Sequence, residues 1–248
     1  MAAASYMSNR IEYGSYFFGK VVRFAFLLVA ILAIFNHVKT MAGYSKYQVI
    51  AFFLTAFLVD TIGQALFRGI YLVREDIRKG NFDYVVSKPL NSLAYSLFRL
   101  PDFLDVIFLV PLLTLVIYTF VKLGIFSNPA NILLYLVFIL ISTIILVALH
   151  IVSVSLTVWT MESESFIWIY RNAMFLGLFP PEIFSNPVQL IFTFAMPIII
   201  IVAVPAKALL GILTPGMALA ALAVAFVFFF GSLLLWKISL KHYSSASS

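Results

Sequence analysis

The sequence predicts an all-α polytopic membrane protein, with six transmembrane helices and a re-entrant helical hairpin before the last span. Two observations carry this. Hydrophobic residues make up 63% of the 248 and charged residues only 10%, where a soluble domain carries roughly 25% charged residues. So few charges cannot cover a globular surface, so much of the surface must face lipid. The apolar residues also fall in long continuous runs, not in the short alternating segments of an outer-membrane barrel. A backbone crossing lipid must satisfy its own polar groups, which leaves helices, each of about 20 apolar residues. The whole of 1–248 reads as one transmembrane domain. Cysteine is absent, which removes a disulfide framework and thiolate metal sites.

Each element follows in order. The first twenty or so residues contain Arg10, Glu12, Lys20 and Arg23, and no small-residue cleavage site follows the first apolar run, so no cleavable signal is expected. Residues 1–18, with Ile11–Phe18 mixing Tyr, Phe and single charges, predict a short amphipathic helix at the membrane surface. The apolar runs are Phe24–Val38 (extending back to about Gly19), Tyr47–Val73, Phe103–Val121, Ile132–Val158, Phe166–Phe179, Val188–Val204 and Met217–Trp236. The sixth of these differs. Within Pro187–Gly211, Pro197 and Pro205 each remove a backbone donor and crowd the preceding turn, at roughly 3 kcal/mol in a straight helix. A pair of short helices turning near Pro197 is expected there, entering and leaving from the outer face between Pro187 and Gly211. Ser244–Ser248 is low in complexity and is expected to be disordered.

Lysine and arginine set the orientation. With the N-terminus in the cytoplasm and six crossings, Arg10, Lys20, Arg23, Arg68, Arg74, Arg78, Lys79, Lys88, Arg99, Arg171, Lys237 and Lys241 lie inside. Lys39, Lys46, Lys122 and Lys207 lie outside. A seventh crossing through Pro187–Gly211 would send Lys237 and Lys241 outside, against this bias. The expected location is a cytoplasmic (inner) membrane with both termini in the cytoplasm.

Several chemistries are excluded. "GSYFFGKV", Gly14 to Val21, fits most of a phosphate-loop pattern, but Val21 replaces the hydroxyl that would hold magnesium, no strand precedes it, and Tyr16, Phe17 and Phe18 crowd the loop. His37, His150 and His242 lack acidic neighbours at ligand spacing. His150 reads as a packed or hydrogen-bonded helix residue. Glu162 and Glu164, two apart near Trp159, do not share a helix face and read as a loop or helix-end pair at the membrane surface. No catalytic residue, metal site or nucleic-acid surface emerges.

Two groups of residues remain as candidates. Asp60, Gln64 and Arg68 stand at i, i+4 and i+8 of the second span and so share one face of a helix. Ionisable residues inside a membrane are costly and face protein or water, so this face reads either as the polar wall of a path or a face between two copies, or as Asp60 satisfied by a neighbour with Arg68 snorkelling to the interface. The second candidate is the polar stretch 74–100, "REDIRKGNFDYVVSKPLNSL" and onward to Arg99. Gly80 permits a tight turn, Pro89 fixes an exit, and Phe82, Tyr84, Val85 and Val86 lie between them.

That stretch resembles the loop after the second span in permease subunits of export-type ABC transporters, the type-2 ABC permease family, in its six-span branch. The matching residues are Arg78, Gly80, Phe82, Asp83, Val86, Lys88 and Pro89. A second, weaker similarity lies in "FLGLFPPEIFSNPVQLIFTFAMP", through Gly177, Pro180 or Pro181, Pro187 and Pro197, and in "PAKALLG" from Pro205 to Gly211. The resemblance implies that 74–100 contains a coupling helix docking on a cytoplasmic ATPase subunit. Arg78, Lys79, Gly80, Phe82, Asp83, Tyr84, Lys88 and Pro89 would form that contact. It implies a second permease, identical or related. It also implies ATP and magnesium bound by the separate ATPase chains, so that this chain holds no cofactor and is no enzyme. The alternative is a secondary transporter or channel without an ATPase, for which internal repeats or several midplane ionisable residues would be expected.

Overall fold

The structure, a computed structural model, describes residues 10–160 and 164–243. Residues 1–9, Glu162 and Ser244–Ser248 lie outside the described residues, and with them the expectations made for those positions. The chain runs through α1 (Arg10–Ile34), α2 (Lys46–Phe67), a 3₁₀ turn (Arg68–Leu72), α3 (Val73–Arg78), α4 (Asn81–Ser87), α5 (Ser92–Phe98), α6 (Phe103–Leu123) and α7 (Pro129–Thr160). It continues through α8 (Glu164–Ala173), 3₁₀ turns at Met174–Leu178 and Pro181–Ile183, α9 (Asn186–Leu190), a π-helical turn (Ile191–Ala195), α10 (Ile198–Leu209) and α11 (Pro215–Lys241). It is an all-α membrane protein.

Local chemistry sets the helix ends. The Gln48 side chain accepts from the Ser45 backbone N–H at 2.8 Å at the start of α2. Asn91 Oδ1 accepts from Ala94 N–H at 3.0 Å at α5. Asp102 Oδ1 accepts from Leu104 N–H at 2.9 Å at α6, and Thr214 Oγ1 from Met217 N–H at 3.3 Å at α11. Each satisfies one of the donors that a helix start leaves open.

α2 lies at the centre of the bundle and is buried along most of its length. Around it α1, α6, α7 and α11 turn large apolar side chains outward, among them Phe26, Val110, Leu140 and Phe226. Among the described residues five helices are long and apolar enough to cross a membrane, and one bent pair, residues 186–195 with 198–209, would add a sixth by length and composition.

The two ends of the bundle are identified by contacts. At one end Tyr44 meets Glu182, and Gly211 lies against Asn131 at the start of α7. At the other, Tyr243 meets Asp83 and the rings of Trp159 and His242 touch. These are the Tyr44 end and the Gly80 end. Since α7 finishes at the Gly80 end and Glu182 stands at the Tyr44 end, residues 164–183 traverse the bundle. They do so as α8 followed by 3₁₀ turns. The expected span Phe166–Phe179 is therefore corrected: it is no single α-helix. The first fifteen residues of that stretch cover about 25 Å, because the 3₁₀ portion rises about 2 Å per residue. Tight packing accompanies the change of winding, for a Cβ on Gly177 would stand 2.7 Å from Val202.

From Glu182 the chain leaves the Tyr44 end, turns by 98° between Ala195 and Ile198, and comes back to the same end with Lys207. Pro187 lies in the first turn of α9 and Pro197 caps α10, so the break falls at Pro197 as its chemistry demands. Pro205 differs from expectation: it sits inside α10 without ending it. α10 is buried on nearly every side, and neighbouring packing holds a helix that loses one internal hydrogen bond.

One further expectation is corrected. Helix α1 runs unbroken from Arg10 into the first span, so no separate interface helix is set off in residues 10–18. The stretch 74–100, for which the resemblance implies a coupling helix, folds as three short helices. It is fastened to α2 through Gly69, where a Cβ would stand 2.5 Å from the Ser96 carbonyl oxygen and 2.9 Å from that of Leu97. Backbone so close cannot yield as a flexible side chain would. Gly69→Ala is expected to destabilise the protein by about 1–3 kcal/mol, the usual cost of overpacking. Gly19→Ala, where nothing lies within 4 Å of the added Cβ, should not lower stability. Thermal unfolding of both variants in detergent checks this, and equal melting temperatures would contradict the packing described.

Candidate functional site

The functional geometry begins with charges at membrane depth. Asp60 lies about 21 Å along α2 from Lys46, at 1.5 Å per residue. An Asp, Lys or Arg near the middle of a span costs about 2.5–3.5 kcal/mol on insertion scales, so partners are required. Arg171 on α8 brings Nε to 3.5 Å from Asp60 Oδ1. Lys20 on α1 pairs with Asp105 on α6. Arg68, just past the end of α2, pairs with Asp102 and stands 4.0 Å from Asp105. The Arg68 guanidinium also lies 4.9 Å from the centre of the Tyr16 ring.

These pairs surround a cavity of about 300 Å³, open on one side, between α1, α2 and residues 171–178. Lys20, Arg23, Asp60 and Arg171 line its polar side, while Phe57, Met174 and Leu178 line its apolar side. Arg23 is exposed into this space, with its guanidinium 4.3 Å from the centre of the Phe175 ring.

The expected common face of Asp60, Gln64 and Arg68 divides. Asp60 lines the cavity. Gln64 is buried and accepts from Tyr71 OH at 3.2 Å. Arg68 belongs to a 3₁₀ turn and points to α6. The cause is the change of winding after Phe67, which carries Arg68 off the line that the i, i+4 pattern draws. His150 is a hydrogen-bonded helix residue: Nδ1 donates to the Leu146 carbonyl at 2.8 Å, which leaves Nε2 to accept from Tyr170 OH, also at 2.8 Å. Sequence reasoning missed Lys20, Arg23 and Arg171 as site residues, because it read them as orientation signals, and it did not single out Asp102 and Asp105. The signal was present in two i, i+3 pairs, Lys20/Arg23 and Asp102/Asp105, each at the edge of or inside an apolar run.

At the Gly80 end, Gly80 takes φ 73°, a conformation that favours glycine, and turns the chain from α3 into α4. Arg78 and Lys79 both reach back to Glu75, at 2.9 and 3.0 Å, and Arg99 pairs with Asp76, which ties α5 to α3. Phe82, expected at the contact with a partner, is not available to one. Phe82 is buried against the rings of Trp236 and Tyr243, and Val85 is buried too. Asp83 accepts from Tyr243 OH at 2.8 Å, and burial together with that carboxylate pushes the Tyr243 phenol up from its usual pKa. The other side of α4 and its exit is open: Tyr84, Val86, Lys88, Pro89 and Leu90 are exposed. On a seven-residue helix one face must pack on the body and the other cannot, and sequence alone did not say which.

At the Tyr44 end, Glu182 accepts from Lys207 Nζ at 2.5 Å and from Tyr44 OH at 3.2 Å. Burial and the adjacent carboxylate push the Tyr44 pKa up to about 12. The contact links the α1–α2 connection, the end of the traversing segment and α10 at one carboxylate.

A family model described as ABC-2 family transporter protein matches residues 21–247. The chain belongs to that family. The matched region takes in every helix from α2 onward and most of α1. No curated protein and no solved structure gives a match. The chain is thus a permease of an ABC transporter and a multi-pass membrane protein. Permeases of this family are generally the non-enzymatic membrane component and partner with ATP-binding subunits. Among the described residues no group of His, Asp and Glu could hold a metal ion.

The buried pairs of this permease have a testable consequence. Asp105→Leu leaves Lys20 without its partner, and removing one member of a buried pair typically costs about 3–5 kcal/mol. Lys20→Met added to Asp105→Leu should recover most of the loss, since Arg68 keeps Asp102. A double-mutant cycle on unfolding midpoints in detergent measures the coupling. Strictly additive losses would remove the pair from the account.

Proposed function

We propose that this permease is the transmembrane subunit of an ATP-driven exporter, pairing with a second permease and with two ATPase subunits that dock on residues 74–100. The observation that carries this reading is the exposed apolar edge of Tyr84, Val86 and Leu90, which begins past the Gly80 turn and ends just beyond Pro89. A permease without a phosphate-binding loop of its own needs a surface for the chain that hydrolyses ATP. A rigid apolar edge rimmed by Arg78, Lys79 and Lys88 suits one, since interfaces concentrate their energy in a few buried aromatic or apolar anchors. ATP and magnesium belong to that partner. Phe82 serves the reading indirectly, by fixing α4 to α11 so that a push on its outer edge moves the body. The Gly80 end then faces the cytoplasm with both termini, in keeping with the excess of Lys and Arg there (Arg74, Arg78, Lys79, Lys88, Arg99, Lys237 and Lys241) over the other end (Lys39, Lys46, Lys122 and Lys207), with Lys20, Arg23 and Arg171 set aside at membrane depth. Pro187–Gly211 becomes a re-entrant segment from the outer face, closed by the Glu182 contact.

Tyr84→Asp and Leu90→Asp should release the ATPase, or abolish transport-coupled hydrolysis, in a permease that still inserts and melts normally. Phe82→Ala should instead lower the melting temperature, because it empties a space inside this chain; truncating a buried Phe costs about 3–5 kcal/mol. Co-purification of the ATPase with each variant separates the two effects. Full association with both Asp variants would overturn the docking surface.

Orientation has its own test. The chain lacks cysteine, so single introduced cysteines report cleanly. A membrane-impermeant thiol reagent on intact cells should label Ile212→Cys, at an exposed position beyond α10, and should not label Lys241→Cys. Lys207 is unsuitable as a probe because it is buried on Glu182. Reversed labelling would invert the topology.

A further inference from the structure

From the cavity between α1, α2 and residues 171–178 we infer that the permease binds an amphiphile there by its anionic head, a phosphate or carboxylate, with Arg23 meeting the anion. The inference rests on the transport reading and names the class of molecule carried. Its argument is the charge balance of the cavity. Three cationic side chains, Lys20, Arg23 and Arg171, line it with one carboxylate, Asp60. Lys20 is matched by Asp105 behind the wall, and Arg171 by Asp60. Arg68, close by, is matched by Asp102. Among the described residues no carboxylate stands within ion-pair distance of Arg23.

Arg23 is also held out for a ligand. It lies in the middle of a span, where an unmatched charge is costly and marks a function. Its guanidinium rests over the Phe175 ring. That contact orients a guanidinium without neutralising it and leaves its N–H edge free for oxyanions, which its fork geometry suits. The wall opposite is hydrocarbon, from Phe57, Met174 and Leu178. A cationic floor with an apolar wall matches a molecule with an anionic head and a hydrocarbon body. A small hydrophilic anion would leave the apolar wall unfilled.

The test uses the purified full-length permease in neutral detergent, without the ATPase. Dodecyl phosphate serves as the anionic amphiphile, dodecylphosphocholine as the zwitterionic one and inorganic phosphate as the free anion, with binding read by microscale thermophoresis. Dodecyl phosphate should bind most tightly. Arg23→Gln should weaken it by about 10- to 100-fold, the loss of a charge-assisted hydrogen bond, and Arg23→Lys should restore part of it. A second variant fills the space: a Cβ on Gly19 meets nothing within 4 Å, so Gly19→Phe should block binding without lowering the melting temperature. Equal binding of dodecyl phosphate by wild type, Arg23→Gln and Gly19→Phe would overturn the inference. Inorganic phosphate binding as tightly as dodecyl phosphate would overturn the amphiphile class. Loss of self-association in Arg23→Gln with unchanged dodecyl phosphate binding would assign Arg23 to a second copy, and so overturn it too. None of these results bears on ATPase docking, which the Tyr84 and Leu90 variants test separately.

Discussion

The architecture depends on one constraint: a charge at membrane depth must be matched by another element of the same bundle. α2 holds the centre, and its own apolar side chains would let neighbours pack on it in many registers. The ion pairs remove that freedom. Lys20 to Asp105 fixes α1 against α6, Arg68 to Asp102 fixes the end of α2 against the start of α6, and Asp60 to Arg171 fixes α8 against α2. Apolar packing supplies area without direction. The few charges supply direction, because leaving one buried and unmatched typically costs about 3–5 kcal/mol and each finds a partner at one register only.

The same constraint locates function. Pairing is complete on the α6 side of α1 and incomplete on the side that opens toward α8, where the cavity lies. That cavity is mechanically joined to the surface at 74–100. Gly69, in the 3₁₀ turn that follows α2, lies against the α5 backbone, and Asp60 stands about 14 Å back along the turn and α2. The 3₁₀ turn at Gly69 is thus the point of close backbone contact between α5 and the chain that carries Asp60.

At the opposite end, a single carboxylate gathers three parts of the chain. Glu182 takes Lys207 and Tyr44 together, so the bent segment leaves and rejoins the bundle at a common point. Broken helices are tolerated here because protein surrounds them. α10 is buried almost throughout, while the exposed side chains of this segment, such as Leu190 and Phe194, belong to the preceding turn. A carboxylate shared by a lysine and a tyrosine holds such a segment more firmly than apolar contact alone, and it couples that end to the α1–α2 connection.

The sequence by itself determined the class, a second span bearing charges, the Gly80 turn and the break at Pro197. Those features follow from composition, run length and backbone chemistry, which act locally. It determined the family through the Arg78–Pro89 stretch, which the family match over residues 21–247 supports. It did not determine that residues 164–183 traverse as α and 3₁₀ helix in succession, because winding there answers to Val202 and Asp60 on other elements. Nor did it determine which face of α4 is buried, since Phe82 and Tyr84 are both aromatic and only Trp236 and Tyr243, some 150 residues away, select one. The partners of Lys20, Arg68 and Arg171 were likewise decided by tertiary structure. A charge within an apolar run announces that it needs a partner, but which partner it finds depends on how the helices cross.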